Sequence, residues 1–434
     1  MSKRVVFTIV AKNYTGLATI LGNSIKEHSE DTTFVVFIAD EINQDFSFPE
    51  TGFIYLIAKE TIAIDNSTWT EMAFKYNLTE FCTAIKPFCF TYLFDKYGAE
   101  NIIYFDPDIL LFSSLNPVWN VLQEKDIIIT PHIVTPETIY SGVFPETNIL
   151  ATGIYNLGFI GIKKTPTSTA FINWWQNRLT EKCFIDKIEG LFTDQKWIDF
   201  LPALFDSSKI EISKNLGLNA APWNFYERKF IKEDGTWYIT NRITGQDKDP
   251  LIFVHFSGFN YKELNANAAS NKNIFNLKVY DDIMPVLESY AAIIKQSDYA
   301  AYFNYSYTYG CFDNGQTIVH FHRRLFRRLL MDSNETGNPF LTGGKQSFYT
   351  MLAKAKLVLS SDLANVDKLN ERNFDSFASK LRTLNILHRS LKKLLGARYY
   401  FLFAKLMLRY YRPENQVFLI DKKYMKVSFK NEHY

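Results

Sequence analysis

The sequence of 434 residues is poor in cysteine, and its four cysteines are not spaced for metal or disulfide chemistry. Cys82, Cys89, Cys183 and Cys311 form no Cys-x-x-Cys pair, which argues against a zinc knuckle and against a disulfide framework. Cys82 and Cys89 lie seven residues apart, a spacing typical of two positions on one buried helix face. The cysteines therefore indicate a reduced protein.

Long apolar runs and a strong excess of charge are also absent. No stretch of eighteen uninterrupted apolar residues occurs, so no membrane-spanning helix is predicted. The amino-terminal sequence MSKRVVFTIVAKNY turns polar too soon for a signal peptide. The formal net charge of +2 favours no class of partner. We therefore expect a cytoplasmic protein, in which the Asn66-Ser-Thr sequon is an ordinary surface feature.

The remaining composition is that of a large globular chain. Hydrophobic residues make up 47% of it, aromatic residues 16% and charged residues 22%. Apolar, β-branched runs alternate with segments of helical spacing, which predicts an α/β domain with a mostly parallel sheet. The predicted strands are RVVFTIVA, TTFVVFIAD, GFIYLIA, ENIIYFDPDILLF, DIIITPH, NLGFIGIK and LIFVHFSG.

The predicted helices are TGLATILGNSIKEHS, LTEFCTAIKPFCFTYLFDKYG, STAFINWWQNRLTEKCF and the shorter TDQKWIDFLPALF. The second of these is expected to break or begin at Pro87 and to end at Gly98. We expect a first domain over residues 1–265, a connecting region that shapes an acceptor cleft over 266–345, and a basic helical region over 346–434. Residues 380–434 carry thirteen Lys or Arg and three Asp or Glu, a difference of about +10.

The run NIIYFDPDILLF contains Asp106 and Asp108, which are costly to bury unless something neutralises them. Side chains two residues apart on an extended strand share one face, so the two carboxylates converge if the backbone stays extended through Pro107. A hard divalent cation that bridges them would offset their repulsion. The alternative is a turn in which one aspartate caps the next segment, and the triplet alone leaves both interpretations open.

Six motifs in a fixed order resemble the GT-A glycosyltransferases, most closely the retaining family that includes glycogenin and the bacterial lipopolysaccharide galactosyl- and glucosyltransferases. They span roughly residues 5–260. The motifs are VAKNYTGLATILGNSIKEH, TAIKPFCFTYLF, IIYFDPDILLF, YNLGFIGIK, LFTDQKWI and VHFSG. The resemblance implies a Rossmann-like GT-A domain with a helical carboxy-terminal extension.

The resemblance also implies a site for Mn²⁺ or Mg²⁺, with Asp106, Asp108 and His255 as ligands. Such an ion stabilises the charge that grows on a departing diphosphate. A lone histidine after an apolar strand is usually a satisfied core residue, and this is the alternative for His255. Gly258, which follows shortly after, lets the backbone approach a phosphate.

The nucleotide-sugar donor is expected, on the same resemblance, at the end of the first strand. Lys86 would help to bind the charge of the donor, and the alternative is an ordinary helix-surface lysine. Lys12 departs from the bacterial galactosyltransferases, which have an acidic residue here, so base recognition is left open. The residues expected to line the nucleoside pocket are Ala11, Asn13 and Tyr14, with Thr8 or Val10 nearby.

The residues expected to face the transferred sugar are Asn156, Gly158, Asp194 and Gln195. Asp194 would assist an oxocarbenium-like centre or orient sugar hydroxyls, and a helix N-cap after Thr193 is the alternative. Lys262 lies near the place where the family often has a phosphate-binding lysine. Its spacing from Gly258 does not match, however, and the usual Lys-Pro-Trp is missing.

The segment HRSLKKLLGARYYFLFAKLMLRYYRP mixes aromatic residues and leucines with Lys and Arg at near-helical spacing. One interpretation is a solvated basic face on a helix packed against the enzyme. The other is an interfacial helix on an anionic membrane, which would place the protein peripherally at the inner face of the membrane. No recognition motif supports a nucleic-acid partner.

Together these features predict a metal-dependent hexosyltransferase that uses a nucleoside diphosphate sugar, with UDP expected, and a glycan or lipid-linked acceptor. Retention of anomeric configuration rests on the resemblance alone. The alternatives are an inverting GT-A transferase and a catalytically silent GT-A domain that acts as a membrane-associated scaffold in glycan assembly. A sugar-phosphate nucleotidyltransferase is disfavoured, because its Gly-rich amino-terminal loop is absent from TIVAKNYTG.

Overall fold

The structure, a computed structural model, describes residues 4–261, 277–332, 337–359, 377–421 and 425. The chain forms two units. The first contains Met1–Ile64 and Thr79–Tyr307, and the second contains Asp65–Leu78 and Thr308–Tyr434.

The strands of the described chain all belong to the first unit. They are β1 (Arg4–Val10), β2 (Thr33–Ile38), β3 (Ile54–Ile57), β4 (Asn101–Phe105), β5 (Ile109–Leu111), β6 (Ile127–Ile129), β7 (Phe159–Lys163), β8 (Ile185–Asp186), β9 (Leu191–Phe192), β10 (Ile210–Ile212), β11 (Arg228–Glu233), β12 (Thr236–Asn241), β13 (Lys248–Pro250) and β14 (Phe253–His255).

The helices are divided between the two units. Those of the first are α1 (Thr15–His28), α2 (Ala58–Thr61), α4 (Leu78–Lys96), α5 (Asn116–Glu124), α6 (Glu146–Thr152), α7 (Pro166–Lys182), α8 (Leu201–Leu204), α9 (Met284–Gln296) and α10 (Tyr299–Phe303). Those of the second are α3 (Asn66–Lys75), α11 (His320–Asp332), α12 (Phe348–Lys354) and α13 (Phe377–Tyr410). Short 3₁₀ turns lie at Lys12–Tyr14, Gln195–Phe200, Ser207–Lys209, Leu277–Ile283, Thr308–Gly310 and Pro413–Leu419.

The first unit is built on a seven-stranded sheet with the order β10-β6-β7-β4-β1-β2-β3. Six of these strands run in one direction, whereas β7 is antiparallel to both of its neighbours. Both faces of β1 are covered: Val6 belongs to the same buried cluster as Leu21 of α1, and Phe7 meets Phe90 of α4 edge to face at 4.8 Å. A mostly parallel α/β sheet, as the sequence predicts, is therefore confirmed.

Smaller sheets complete this unit. Strands β11, β12 and β13 form an antiparallel sheet, and β5 pairs antiparallel with β14, while β8 pairs with β9.

Two local expectations are wrong. The helix α4 passes through Pro87 without a break, because its neighbours on that side, such as Lys86 and Cys89, are buried and tertiary packing outweighs the lost backbone hydrogen bond. The backbone does not stay extended through Pro107, because the chain turns there and the Ile109 N–H donates to the Asp106 carbonyl oxygen at 3.2 Å. The strand predicted as one piece is therefore two strands, which belong to different sheets.

The second unit has its own core, which includes Phe74 of α3, Phe326 of α11 and Phe348 of α12. Arg323 of α11 is buried in it. Its Nη1 donates to the carbonyl oxygens of Ala73, Phe74 and Tyr76, and its Nη2 donates to that of Tyr309. One guanidinium thus satisfies carbonyl groups that the end of α3 leaves without helical partners. None of the described helices is both long and apolar enough to cross a bilayer.

We predict that Arg323→Met lowers the free energy of unfolding of the second unit by at least about 3 kcal/mol, because several buried carbonyl groups lose their donor. Urea denaturation monitored by circular dichroism measures this change. Arg382→Met, which alters an exposed arginine of α13, is the matched control and should stay within about 0.5 kcal/mol of the wild type. Equal stability of the two variants would contradict the prediction.

Candidate active site

Asp106 and Asp108 lie where β4 ends, at the carboxyl edge of the parallel strands. Strand β7 is antiparallel to β4, so its amino end reaches the same edge, and the Asp106 N–H donates to the Gly158 carbonyl oxygen at 2.8 Å. This is the edge at which open α/β sheets bind their ligands.

His255 is brought to the two aspartates by the small β5–β14 sheet. It lies opposite Ile109 in that pairing, and the Phe256 N–H donates to the Asp108 carbonyl oxygen at 2.9 Å. The His255 Nε2 atom is 3.2 Å from Asp108 Oδ1 and 3.8 Å from Asp106 Oδ2. One ligand atom from each of the three residues lies within 4.8 Å of the others. Their oxygen and nitrogen atoms form a donor set that fits Mn²⁺ or Mg²⁺.

The charges at this site are not balanced. Burial by itself lowers the pKa of His255, but the charge and hydrogen bond of Asp108, together with Asp106, raise it above its ordinary value. Burial raises the pKa of Asp106, which the charges of Lys86 and His255 partly offset. With Asp194, three carboxylates share two basic side chains here, which is an environment suited to a divalent cation.

Lys86 of α4 connects the acid pair to the next carboxylate. Its Nζ donates to Asp194 Oδ2 at 2.5 Å and to the Leu157 carbonyl oxygen at 2.9 Å. It also lies 4.0 Å from the centre of the Tyr104 ring, whose hydroxyl donates to Asp106 Oδ1 at 2.6 Å. Lys86 is 1% exposed, so it is not a helix-surface lysine.

The backbone next to Asp194 is strained. Thr193 has a φ of 46°, which is rare for a β-branched residue and is a feature that often accompanies functional sites. The side chain of Asp194 makes no capping hydrogen bond to the 3₁₀ turn that follows it. Its described partner is Lys86, and this pair is buried on both sides.

Asn156 and Gln195 lie behind His255. Asn156 Oδ1 is 3.2 Å from His255 Nδ1, and Asn156 Nδ2 donates to Gln195 Oε1 at 3.2 Å. Gly158 has to be a glycine, because a Cβ atom there would come 2.7 Å from His255 Nδ1. The four residues expected to face the transferred sugar are therefore near the acid pair. Asn156, Gly158 and Gln195 lie behind His255, and Asp194 lies beside Lys86.

The end of β1 and the turn after it contain polar atoms without a hydrogen-bond partner. Thr8 Oγ1, Asn13 Oδ1 and Thr15 Oγ1 are buried in this way. Burial and the charge of Asp108 raise the pKa of Tyr14. Strand β1 pairs parallel with β4, so the end of β1 lies at the same edge of the sheet as the candidate metal site. The residues expected to line a nucleoside pocket there are Thr8, Val10, Ala11, Asn13 and Tyr14. Unpaired buried polar atoms of this kind suit a polar ligand.

Lys12 is buried beside this segment. Its Nζ lies 3.6 Å from Asp40 Oδ2 and donates to the Glu41 carbonyl oxygen at 2.8 Å. Gly258 has a φ of +74°, a conformation that favours glycine. Lys262 lies outside the described residues.

Sequence reasoning missed several residues that the fold places here. Tyr104 had a signal, since it precedes Asp106 by two residues in an apolar strand. Asn219, Trp223 and His132 had none: Trp223 packs edge to face against both His255 and His132, at 5.2 Å and 5.1 Å between ring centres. These residues come from separate loops that only the tertiary structure brings together.

No family model matches the chain. Over 264 residues it is 25% identical to the uncharacterized protein YfnF of Bacillus subtilis strain 168, which covers 59% of this chain and 82% of YfnF. It is 26% identical over 261 residues to YfnD of the same organism, with 58% and 76% covered. Glycosyltransferases are among the solved structures with which it aligns. One is the galactosyltransferase LgtC in complex with donor and acceptor sugar analogues, with a TM-score of 0.39, 14% identity, and coverage of 68% of this chain and 96% of LgtC.

We predict a specific pH dependence of stability from His132. Burial lowers the pKa of His132 from 6.5 to about 4, so the unfolded chain takes up its proton first as the pH falls. The contribution of the neutral His132 side chain to the free energy of unfolding is complete above pH 6.5. It declines by up to about 3 kcal/mol as the pH falls to 4. Urea denaturation between pH 4 and pH 7 measures it.

His132→Asn is the matched variant, because its amide keeps a donor for the Ile154 carbonyl oxygen, which lies 3.0 Å from His132 Nδ1. Its stability should fall less steeply than that of the wild type over this pH range. Parallel slopes for the two proteins would show that His132 does not titrate as described.

Proposed function

We propose that this protein is a glycosyltransferase with a GT-A domain, and more particularly a metal-dependent hexosyltransferase. Its donor would be a nucleoside diphosphate sugar, expected to be a UDP-sugar, and its acceptor a glycan or a lipid-linked glycan. The observation that carries the proposal is the Asp106, Asp108 and His255 cluster at the carboxyl edge of the parallel sheet. The buried Lys86–Asp194 pair beside it supplies further charged groups for donor binding.

The three ligands differ in their access to solvent. The side chains of Asp106 and Asp108 are 30% and 23% exposed, whereas that of His255 is 5% exposed. The carboxylates would therefore lie on the side from which a nucleotide enters, and the imidazole would lie on the buried side of the site. A bound Mn²⁺ or Mg²⁺ would supply a Lewis acid for the departing diphosphate.

The remaining residues have roles in binding and orientation. The nucleoside would bind at the end of β1, beside Thr8, Asn13 and Tyr14. In the transfer, the bond from the anomeric carbon to the diphosphate oxygen breaks, a bond to the acceptor oxygen forms, and the proton of the acceptor hydroxyl passes to the departing diphosphate. Asp194, held by Lys86, would face the anomeric carbon or its neighbouring hydroxyls.

Retention of anomeric configuration is part of this proposal, and an inverting transferase is its nearest alternative. Determination of the product's anomeric configuration by NMR separates the two. A catalytically silent scaffold is the more distant alternative. The joint presence of the acid pair, the histidine and the buried Lys86–Asp194 pair favours an enzyme, because a scaffold has no use for this costly arrangement.

We predict that Mn²⁺ promotes UDP binding, and that Asp108→Asn weakens this Mn²⁺-dependent binding by at least about 100-fold, since a lost charged ligand costs several kcal/mol. Calorimetry with UDP, with and without Mn²⁺, measures the binding. A donor-hydrolysis screen across nucleotide sugars then identifies the sugar. Asp206→Asn, which alters an exposed aspartate, is the control. UDP binding that is absent or indifferent to Mn²⁺ would favour the scaffold.

We further propose that α13 binds an anionic membrane surface. It carries eight Lys or Arg and no Asp or Glu, and none of residues 378–410, all described, is buried. Its exposed apolar side chains include Leu394, Phe401 and Leu408, which are 82%, 64% and 70% exposed. Exposed apolar residues that alternate with basic residues suit the interface of an anionic bilayer.

The helix is bent at Gly396, where φ is 72° and ψ is 164°. His388 Nδ1 lies 3.0 Å from the Tyr400 hydroxyl, although twelve residues of straight helix would span about 18 Å. The two arms of α13 therefore fold towards each other, and both are exposed.

We predict that the protein floats with vesicles of phosphatidylcholine and phosphatidylglycerol but not with phosphatidylcholine alone. Replacement of both Lys392 and Lys393 by Gln should weaken binding about 30-fold, because each basic residue near an anionic surface contributes about 1 kcal/mol. Replacement of both Lys214 and Lys229, exposed lysines of the first unit, by Gln is the control. Equal flotation with both kinds of vesicle, or none with either, would rule out the electrostatic surface.

A further inference from the structure

We propose that Asn156, supported by Gln195, positions His255 by fixing which nitrogen of its imidazole carries a proton. Both residues are expected from the sequence to face the transferred sugar, and the hydrogen bonds around them point to a different role. The inference rests on the metal site of the proposed function.

The orientation of the Asn156 and Gln195 side-chain amides follows from their hydrogen bonds to the backbone, because a backbone N–H can only donate and a carbonyl oxygen can only accept. Asn156 Oδ1 receives a hydrogen bond from the Gly158 N–H at 3.2 Å, so this atom is the oxygen. Gln195 Oε1 receives one from the Leu157 N–H at 3.2 Å, and Gln195 Nε2 donates to the Thr152 carbonyl oxygen at 3.0 Å. The Asn156 Nδ2 donates to Gln195 Oε1, which agrees with both assignments.

This arrangement determines the tautomer of His255. Its Nδ1 faces Asn156 Oδ1 at 3.2 Å, and an amide oxygen can only accept, so Nδ1 must carry the proton. In the neutral imidazole the lone pair is then on Nε2, the atom that lies 3.2 Å from Asp108 Oδ1. A metal held by the two aspartates would therefore find the correct nitrogen already presented.

The supporting groups keep Asn156 from turning. Asn219 Nδ2 donates to Asn156 Oδ1 at 3.0 Å and to Thr130 Oγ1 at 2.9 Å, and the Asn156 N–H donates to the Thr130 carbonyl oxygen at 3.0 Å. Asn156 Oδ1 thus accepts from a histidine, a glycine N–H and Asn219, while its amino group is held by Gln195. The side chain is 7% exposed. Its polar groups are committed to orienting His255.

The test measures binding of Mn²⁺ alone, by the electron paramagnetic resonance signal of the free ion, in the wild type and in variants. Asn156→Ala should weaken Mn²⁺ binding by 10- to 100-fold, the usual effect of losing a group that orients a metal ligand. Asn156→Asp keeps an acceptor against Nδ1 and should restore most of the affinity. Gln195→Leu should give a smaller loss in the same direction, because the Asn156 amide then loses one of the groups that hold it.

Asn241→Ala is the matched control. Asn241 is also a buried asparagine, whose Oδ1 accepts from the Ile243 and Thr244 N–H groups, and its loss should affect stability but not Mn²⁺ affinity. Wild-type affinity in Asn156→Ala, or an Asn156→Asp variant as weak as Asn156→Ala, would overturn the positioning role while leaving the metal site intact. If the wild type itself binds no Mn²⁺ and Asp106→Asn behaves identically, the proposed metal site is wrong and the inference is wrong with it.

Discussion

The repulsion between Asp106 and Asp108 is the constraint on which the rest of the site depends. Two carboxylates close together at the end of a buried strand are tolerated only where positive charge is supplied from elsewhere. His255 supplies part of it across the β5–β14 pairing, and Lys86 supplies part, although it shares its charge with Asp194. What remains is an excess of negative charge, and the three side chains form a cluster that could hold a dication.

Two antiparallel strands bring the residues of this site together at one edge of the sheet. In a purely parallel sheet, the carboxyl edge carries only residues that follow strands. Because β7 is reversed, the residues that precede it, Asn156 and Gly158, come to the same edge as Asp106. Strand β14 is likewise antiparallel to β5, which places His255 within reach of Asp108. The antiparallel strands β7 and β14 therefore bring the Asn156 amide and the His255 imidazole to this edge. Without them, the edge would carry only the loops that follow β1, β2 and β4.

The second unit uses charge differently. In α11 a buried arginine, Arg323, satisfies backbone carbonyl groups at the end of α3, so its positive charge serves the fold. In α13 the positive charges are exposed beside apolar side chains, and the helix contains no Asp or Glu. Basic residues thus stabilise the core when they are buried, as in α11, and form a charged surface when they are exposed, as in α13.

The sequence by itself determined the α/β sheet and the elements around β1, α1, β2 and β4, because buried strands have a characteristic composition. It also indicated that Asp106, Asp108 and His255 belong to one site, because the motifs that contain them follow in a recognisable order. Its order could not show that the backbone turns at Pro107, that α4 continues through Pro87, or that α3 joins the unit formed by residues after 308. The tertiary structure alone decided that Asn156 lies against His255 and that Lys86 is paired with Asp194. Strand direction and long-range hydrogen bonds set those contacts, and neither leaves a local pattern in the chain.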